Sequence, residues 1–123
     1  MFRDSGLRAA ALALWVGAWT LIVWAMLSPS PPDLAGQSDK LVHFTGFLVI
    51  SFAMLGFCRS GGQLLAAGAL CLAAAVSLEL AQGLVPSRTV EAADMLANIA
   101  GVVAGTGASW LGLACLGRRP RPA

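Results

Sequence analysis

The sequence has little charge. Only 11% of its 123 residues are Asp, Glu, Lys or Arg, whereas soluble domains average about 25%. Hydrophobic residues make up 58%, and no polar stretch is long enough to form a separate soluble domain, so we predict a single membrane domain over residues 1–123. The net charge of +2 is small and the basic residues form no patch, which argues against nucleic acid as a partner.

Residues that bind metals are also sparse. The chain has three cysteines, which follow no paired spacing, and one histidine. We interpret the cysteines as buried, apolar-like thiols. A group of His43, Glu79 and Asp94 could bind a metal, but one histidine without a cysteine partner is a weak signal. The sequence therefore predicts no metal and no cofactor.

Four apolar windows are long enough to span roughly 30 Å of hydrocarbon at about 20 residues each. They cover residues 9–27, 41–58, 64–85 and 95–116. The first is longer than the apolar part of a signal peptide, and no cleavage-type sequence precedes the proline-rich run at 28–32, so we predict a retained helix. The predicted fold class is all-α, a four-helix transmembrane bundle.

The basic residues predict the orientation, because cytoplasmic flanks are enriched in Lys and Arg. With both termini in the cytoplasm, only Lys40 and Arg88 lie outside. The remaining basic residues lie inside: Arg3, Arg8, Arg59, Arg118, Arg119 and Arg121. We therefore expect a multi-pass membrane protein with both ends in the cytoplasm and the lipid bilayer as its first partner.

Two patterns predict how the helices pack. The short turn at 59–62 places the second and third helices side by side. In the fourth helix a small residue recurs at every third or fourth position: Gly101, Gly105, Ala108 and Gly112. This strip favours close contact with helix 2 or 3, while a homo-oligomer remains an alternative. The bulky residues of the first helix are interpreted as lipid-facing or interfacial anchors: Trp15, Trp19 and Trp24.

Polar residues gather at three helix ends that threading through a bilayer brings to the outer face. They are Asp39, Lys40 and His43 on helix 2, Glu79 and Gln82 on helix 3, and Arg88, Asp94 and Asn98 at the start of helix 4. Each helix has one pair of polar residues that are three or four positions apart and so share a face: Asp39 and His43, Glu79 and Gln82, and Asp94 and Asn98. Because charge in or near hydrocarbon is costly, a convergent group of this kind is by default a functional-site hypothesis.

The residue types allow both binding and acid–base chemistry. His43 and Glu79 could exchange protons with a substrate, with Asp94 as a third candidate. Lys40 and Arg88 supply positive charge for a phosphate or carboxylate at the membrane surface. The two amides, on helices 3 and 4, could orient either a ligand or the carboxylates.

Architectural explanations are open for several of these residues. Asp39 could simply offset the dipole of its helix, and Glu91 is expected to do only that. The polar pair of the fourth helix could join helices by hydrogen bonds. For Glu79 the architectural explanation requires a salt bridge to Arg88 or Lys40. Mutual saturation of the cluster would favour architecture, whereas unpaired groups facing outward would favour binding or catalysis.

Three linked motifs resemble the VanZ-like family of small bacterial membrane proteins. They are Asp-Lys-x-x-His at 39–43, Glu-x-x-Gln at 79–82 and Arg-x5-Asp-x3-Asn-x2-Gly at 88–101. The resemblance extends over residues 38–105. It implies an integral protein of the cell envelope, in the bacterial inner, or cytoplasmic, membrane, with an extracytoplasmic polar site. The family is named for a protein that gives low-level resistance to teicoplanin, a lipid-tailed glycopeptide.

We therefore expect a binding or protective envelope protein whose site holds the polar head of a lipid-linked cell-wall precursor or of a glycopeptide. One alternative is a membrane enzyme that acts on a lipid head group with His43 or Glu79 as acid or base, although the sequence has no nucleophile elbow. Further alternatives are a proton- or ion-coupled carrier and a polar network that serves only architecture.

Overall fold

The computed structural model describes residues 5–30 and 39–117. This part of the chain contains α1 (Ser5–Leu27), α2 (Asp39–Phe52) with a short 3-10 helix (Ala53–Gly56) that continues it, α3 (Gly61–Gln82) and α4 (Ala92–Cys115). Four helical segments, the second of which joins α2 to the 3-10 helix, are long and apolar enough to cross a membrane. The predicted all-α fold with four spans is confirmed, although α3 and α4 both begin three residues earlier than expected.

The turn between the 3-10 helix and α3 is closed by side chains. The Ser60 hydroxyl accepts a hydrogen bond from the Gln63 backbone N–H at 3.2 Å, and the Gln63 side-chain oxygen accepts one from the Arg59 N–H at 2.8 Å. These bonds satisfy donors that the first turn of a helix leaves free. They explain why α3 starts at Gly61, within the predicted turn.

α4 packs against both α2 and α3, and α2 contacts α4 far more than it contacts α3. The expected α2–α3 pair is therefore not the main contact of the bundle. A Cβ atom at Gly101 would meet the Phe44 carbonyl oxygen, and one at Gly105 would meet the Leu48 carbonyl oxygen. Absence of side chains at these two glycines lets the α2 and α4 backbones meet, as the small-residue strip predicted. Ala108, expected in the strip, is exposed.

α1 packs on the bundle through two of its tryptophans. The Trp15 indole N–H donates to the Ile50 carbonyl at 2.8 Å, and the Trp19 ring meets Phe47 edge-on. The interpretation of these two as lipid anchors is therefore wrong, whereas Trp24 is exposed as expected. A tryptophan with its N–H bonded inward gains both apolar contact and a hydrogen bond.

The opposite end of the bundle from the polar residues carries Arg8, Arg59 and two of the cysteines. Arg8 donates to the Phe57 carbonyl at 2.8 Å. Cys58 is buried, and burial raises the pKa of its thiol, whereas Cys115 is exposed, contrary to expectation.

Some of the features used above lie outside the described residues: Arg3, Arg118, Arg119, Arg121 and the end of the proline-rich run, at 31–32. Which end faces the cytoplasm stays a prediction.

The close approach of α2 and α4 is testable with two glycines of one helix. Gly105→Ala should lower the free energy of unfolding by about 1–3 kcal/mol, since the new methyl group overlaps the α2 backbone. Gly107→Ala is the matched control, because a Cβ there has nothing within 4 Å. Thermal unfolding in detergent measures both. Equal midpoints for the two variants would contradict the tight contact.

Orientation can be tested by thiol labelling of intact cells with a membrane-impermeant maleimide. The native Cys115 should react only after lysis. Val90→Cys, made in a Cys115→Ser background, should react in intact cells, because Val90 is exposed at the polar end. Cys58 and Cys71 are buried and should label slowly in both proteins. The reverse pattern would place the polar end in the cytoplasm.

Candidate functional site

Asn98 on α4 links a carboxylate of α3 to the imidazole of α2. Its amide nitrogen donates to Glu79 Oε2 at 3.2 Å, and its oxygen lies 2.8 Å from His43 Nδ1. Because the nitrogen faces a carboxylate, the oxygen faces the histidine and can only accept, so Nδ1 carries a proton. Glu79 and Asn98 have no exposed surface and His43 is 9% exposed. These three residues form a buried layer that is hydrogen-bonded through Asn98.

The Glu79 carboxylate, on α3, lies next to the start of α4. Its Oε1 accepts a hydrogen bond from the backbone N–H of Glu91, the N-cap residue of α4, at 3.3 Å. The partial positive charge of a helix N-terminus favours a carboxylate there. Since α3 ends at Gln82, Glu79 lies about 4.5 Å from the end of its helix. The predicted partners, Arg88 and Lys40, bond elsewhere.

Above the buried layer lies a rim of three side chains, Asp39, Lys40 and Glu91. The Lys40 ammonium lies 3.3 Å from Glu91 Oε2 and 3.4 Å from Asp94 Oδ1. Lys40 and Glu91 are about half exposed and the Asp39 side chain is 70% exposed. Asp94 lies beneath the rim at 4% exposure. Glu91 thus does more than offset a helix dipole, which corrects the expectation for it.

Gln82 and Arg88 contact α1 instead of the other polar residues. Both donate to the Met26 carbonyl, at 2.9 Å and 3.2 Å respectively. Ser87, whose φ of 68° marks a tight turn, donates through its hydroxyl to the Pro29 carbonyl at 3.0 Å. The two predicted site residues therefore satisfy a free carbonyl in the last turn of α1. Sequence reasoning missed these bonds to the Met26 and Pro29 carbonyls, since no pattern shows which backbone carbonyl a side chain reaches.

The described charges at this end do not cancel. At this end the described residues carry four carboxyl groups and two basic side chains, Lys40 and Arg88, which is a formal excess of two negative charges when every carboxyl group is counted as ionised and the histidine as neutral. The carboxylates belong to Asp39, Glu79, Glu91 and Asp94. Partly desolvated charges are screened little by salt, so the excess favours a cationic partner.

One group of side chains within the described residues has the spacing of metal ligands. Asp39, His43 and Asp94 each offer a ligand atom, and these atoms lie within 4.8 Å of one another. The sequence grouped Glu79 with the histidine and Asp94, but Glu79 lies behind the imidazole on its Nδ1 side, at 3.8 Å. Asp39 takes its place, facing Nε2 at 3.7 Å.

The fold and site together define a small helical membrane protein with a polar cluster at one end of its bundle. The family model described as VanZ/LLP1 matches residues 9–113, so the chain belongs to the VanZ/LLP1 family. The resemblance seen in the three motifs is thereby confirmed. No curated protein and no solved structure gives a match.

The bridge formed by Asn98 is testable by comparing two variants. Asn98→Leu removes both bonds and leaves Glu79 and His43 without this partner, whereas Glu79→Gln removes a buried charge and keeps the shape. Asn98→Leu should therefore be the less stable by about 1–3 kcal/mol. Thermal unfolding in detergent gives the comparison. Similar midpoints would show that the amide does not hold the three helices.

Proposed function

We propose that this VanZ/LLP1-family protein binds, at the outer face of the bacterial cytoplasmic membrane, the polar head of a lipid-linked cell-wall molecule or of a lipid-tailed glycopeptide. By holding such a molecule it would lower the concentration free to act at the membrane. The observation that carries the proposal is the exposed rim above a buried, hydrogen-bonded layer. A network that served only architecture would need the buried layer but not the rim.

The buried layer supports the proposal by fixing where the rim lies. Glu79, Asn98 and His43 bond one another, so they are not free to rearrange around a ligand. Preorganised groups of this kind reduce the entropy lost on binding. The rim residues Asp39 and Lys40 begin α2 and keep exposed charged ends. A head group would meet both signs of charge on a rigid base.

The position of the cluster also fits an amphiphile. The cluster lies at the ends of membrane-spanning helices, where a lipid head group meets water while its tail stays in hydrocarbon. α2 begins here, and a helix N-terminus favours an anionic group such as phosphate, whereas the N-terminus of α4 already holds the Glu79 carboxylate. Lys40 adds a half-exposed ammonium. Hydroxyl or amine groups of the same head group would bond the rim carboxylates.

Geometry also favours a second candidate, a membrane enzyme. His43 donates from Nδ1 to Asn98, so the Nε2 of the neutral ring has a free lone pair directed to the rim. A histidine oriented in this way can act as a general base on a bound head group. Conversion of a co-purifying lipid by the wild type, but not by His43→Gln, would favour this candidate over binding alone.

Lipid mass spectrometry of the protein purified in mild detergent tests the proposal. One head-group class should be enriched with the wild type and fall roughly tenfold with Lys40→Gln, because hydrogen bonds to a charged group are lost. Arg59→Gln is the matched control, a change of an exposed basic residue at the opposite end. No enrichment, or the same loss with both variants, would overturn the proposal.

Growth assays test whether the protein binds a lipid-tailed glycopeptide. Expression of the wild type in a teicoplanin-sensitive bacterium should raise the inhibitory concentration of teicoplanin relative to expression of Lys40→Gln at equal protein level. A glycopeptide without a lipid tail is the control and should show a smaller change. If the two proteins protect equally, the rim does not bind the antibiotic.

A further inference from the structure

We propose that Asp39, His43 and Asp94 form a binding site for one divalent transition-metal ion, here probed with Zn²⁺. The ion would in turn accept the phosphate or carboxylate of the head group. The contact between the ion and the head group rests on the proposed function, whereas the metal site itself does not. Two carboxylates and an imidazole are ligands that zinc accepts in proteins.

The histidine is oriented as a metal ligand. His43 Nδ1 donates to Asn98, and the Glu79 carboxylate lies behind that amide. Histidines that bind metals generally donate their other N–H to a carboxylate, carbonyl or water in this manner. Nε2 of the neutral ring then presents its lone pair to Asp39 Oδ1, at 3.7 Å. Two acceptors face each other, and a cation between them would satisfy both.

Asp94 supplies an independent observation. Its Oδ1 atom is fully buried and accepts no well-formed hydrogen bond, although the Lys40 ammonium lies 3.4 Å away. A buried carboxylate oxygen with so little compensation is costly. The formal excess of two negative charges at this end, counted with Lys40 included, equals the charge of one divalent ion. Asp94 thus has the Lys40 ammonium nearby but no well-formed hydrogen bond, and a divalent ion would supply both a ligand bond and a countercharge.

The distances require only a small closure. Zinc–oxygen and zinc–nitrogen bonds of about 2.0–2.2 Å put tetrahedral ligands roughly 3.3–3.6 Å apart, and here the three ligand atoms lie within 4.8 Å. Asp39 is in the first turn of α2 with an exposed side chain, so it can move toward the others. Three protein ligands leave one tetrahedral position open, toward the rim, for a head-group oxygen.

Zinc titration of the full chain tests the site. The protein is purified in detergent without a histidine tag, stripped with EDTA and titrated against a chromophoric zinc chelator. One zinc per chain is expected. His43→Gln and Asp94→Asn should weaken affinity about 100-fold, and Asp39→Asn, which changes an exposed side chain, about tenfold. Lys40→Gln should bind zinc more tightly, by roughly tenfold, because a competing ammonium is removed.

The tighter binding of Lys40→Gln keeps the test independent of folding defects, since an unfolded protein would not gain affinity. The Cys115→Ser background excludes the exposed thiol as the ligand. The proposal is overturned if the wild type binds no zinc, if His43→Gln binds as tightly as wild type, or if Cys115→Ser abolishes binding. Lipid retention measured with and without EDTA distinguishes the proposed function from the metal site. Zinc binding without lipid retention contradicts the proposed function alone. Lipid retention without zinc binding contradicts the metal site alone.

Discussion

The structure depends on the close approach of α2 and α4 at Gly101 and Gly105. In lipid, apolar surfaces gain little by meeting each other, so helix pairs associate through close packing and hydrogen bonds. The two glycines place the backbones in contact, and Asn98, about one turn toward the polar end on the same face, then reaches His43 at 2.8 Å. The position of the polar cluster therefore follows from the absence of side chains one and two turns away.

The buried Glu79 carboxylate joins α3 to this pair. It accepts one bond from Asn98 and one from the backbone at the start of α4, so one side chain contacts both the face and the end of the same helix. A helix N-terminus lowers the cost of burying a negative charge. The loop before α4 must then run close to α3, which brings Arg88 and Ser87 to the end of α1. All four helices are tied at the polar end.

The sequence predicted the elements and the polar face well, because both follow from periodicity. Apolar length fixed four spans, and spacing of three or four placed each polar pair on one face. The hydrogen-bond partners of the polar side chains were harder to predict. Arg88 and Gln82 reach a backbone carbonyl, and Glu79 bonds a backbone N–H, groups that every residue carries and that no residue type reveals. Rotation of α1, which turns Trp15 inward, depends on the shape of its neighbours.

Charge and hydrogen-bond saturation distinguish an architectural role from a binding role in the cluster. A network that only joined helices would be expected to be neutral and saturated, since a charge in a membrane costs more than an amide does. The buried layer is hydrogen-bonded through Asn98, but the cluster as a whole carries a formal excess of two negative charges. Asp94 Oδ1, which accepts no well-formed hydrogen bond, and His43 Nε2, which faces Asp39 at 3.7 Å, both lie on the rim side of that layer. Architecture accounts for the inner half, and the outer half is the part that we propose binds a partner from the membrane surface.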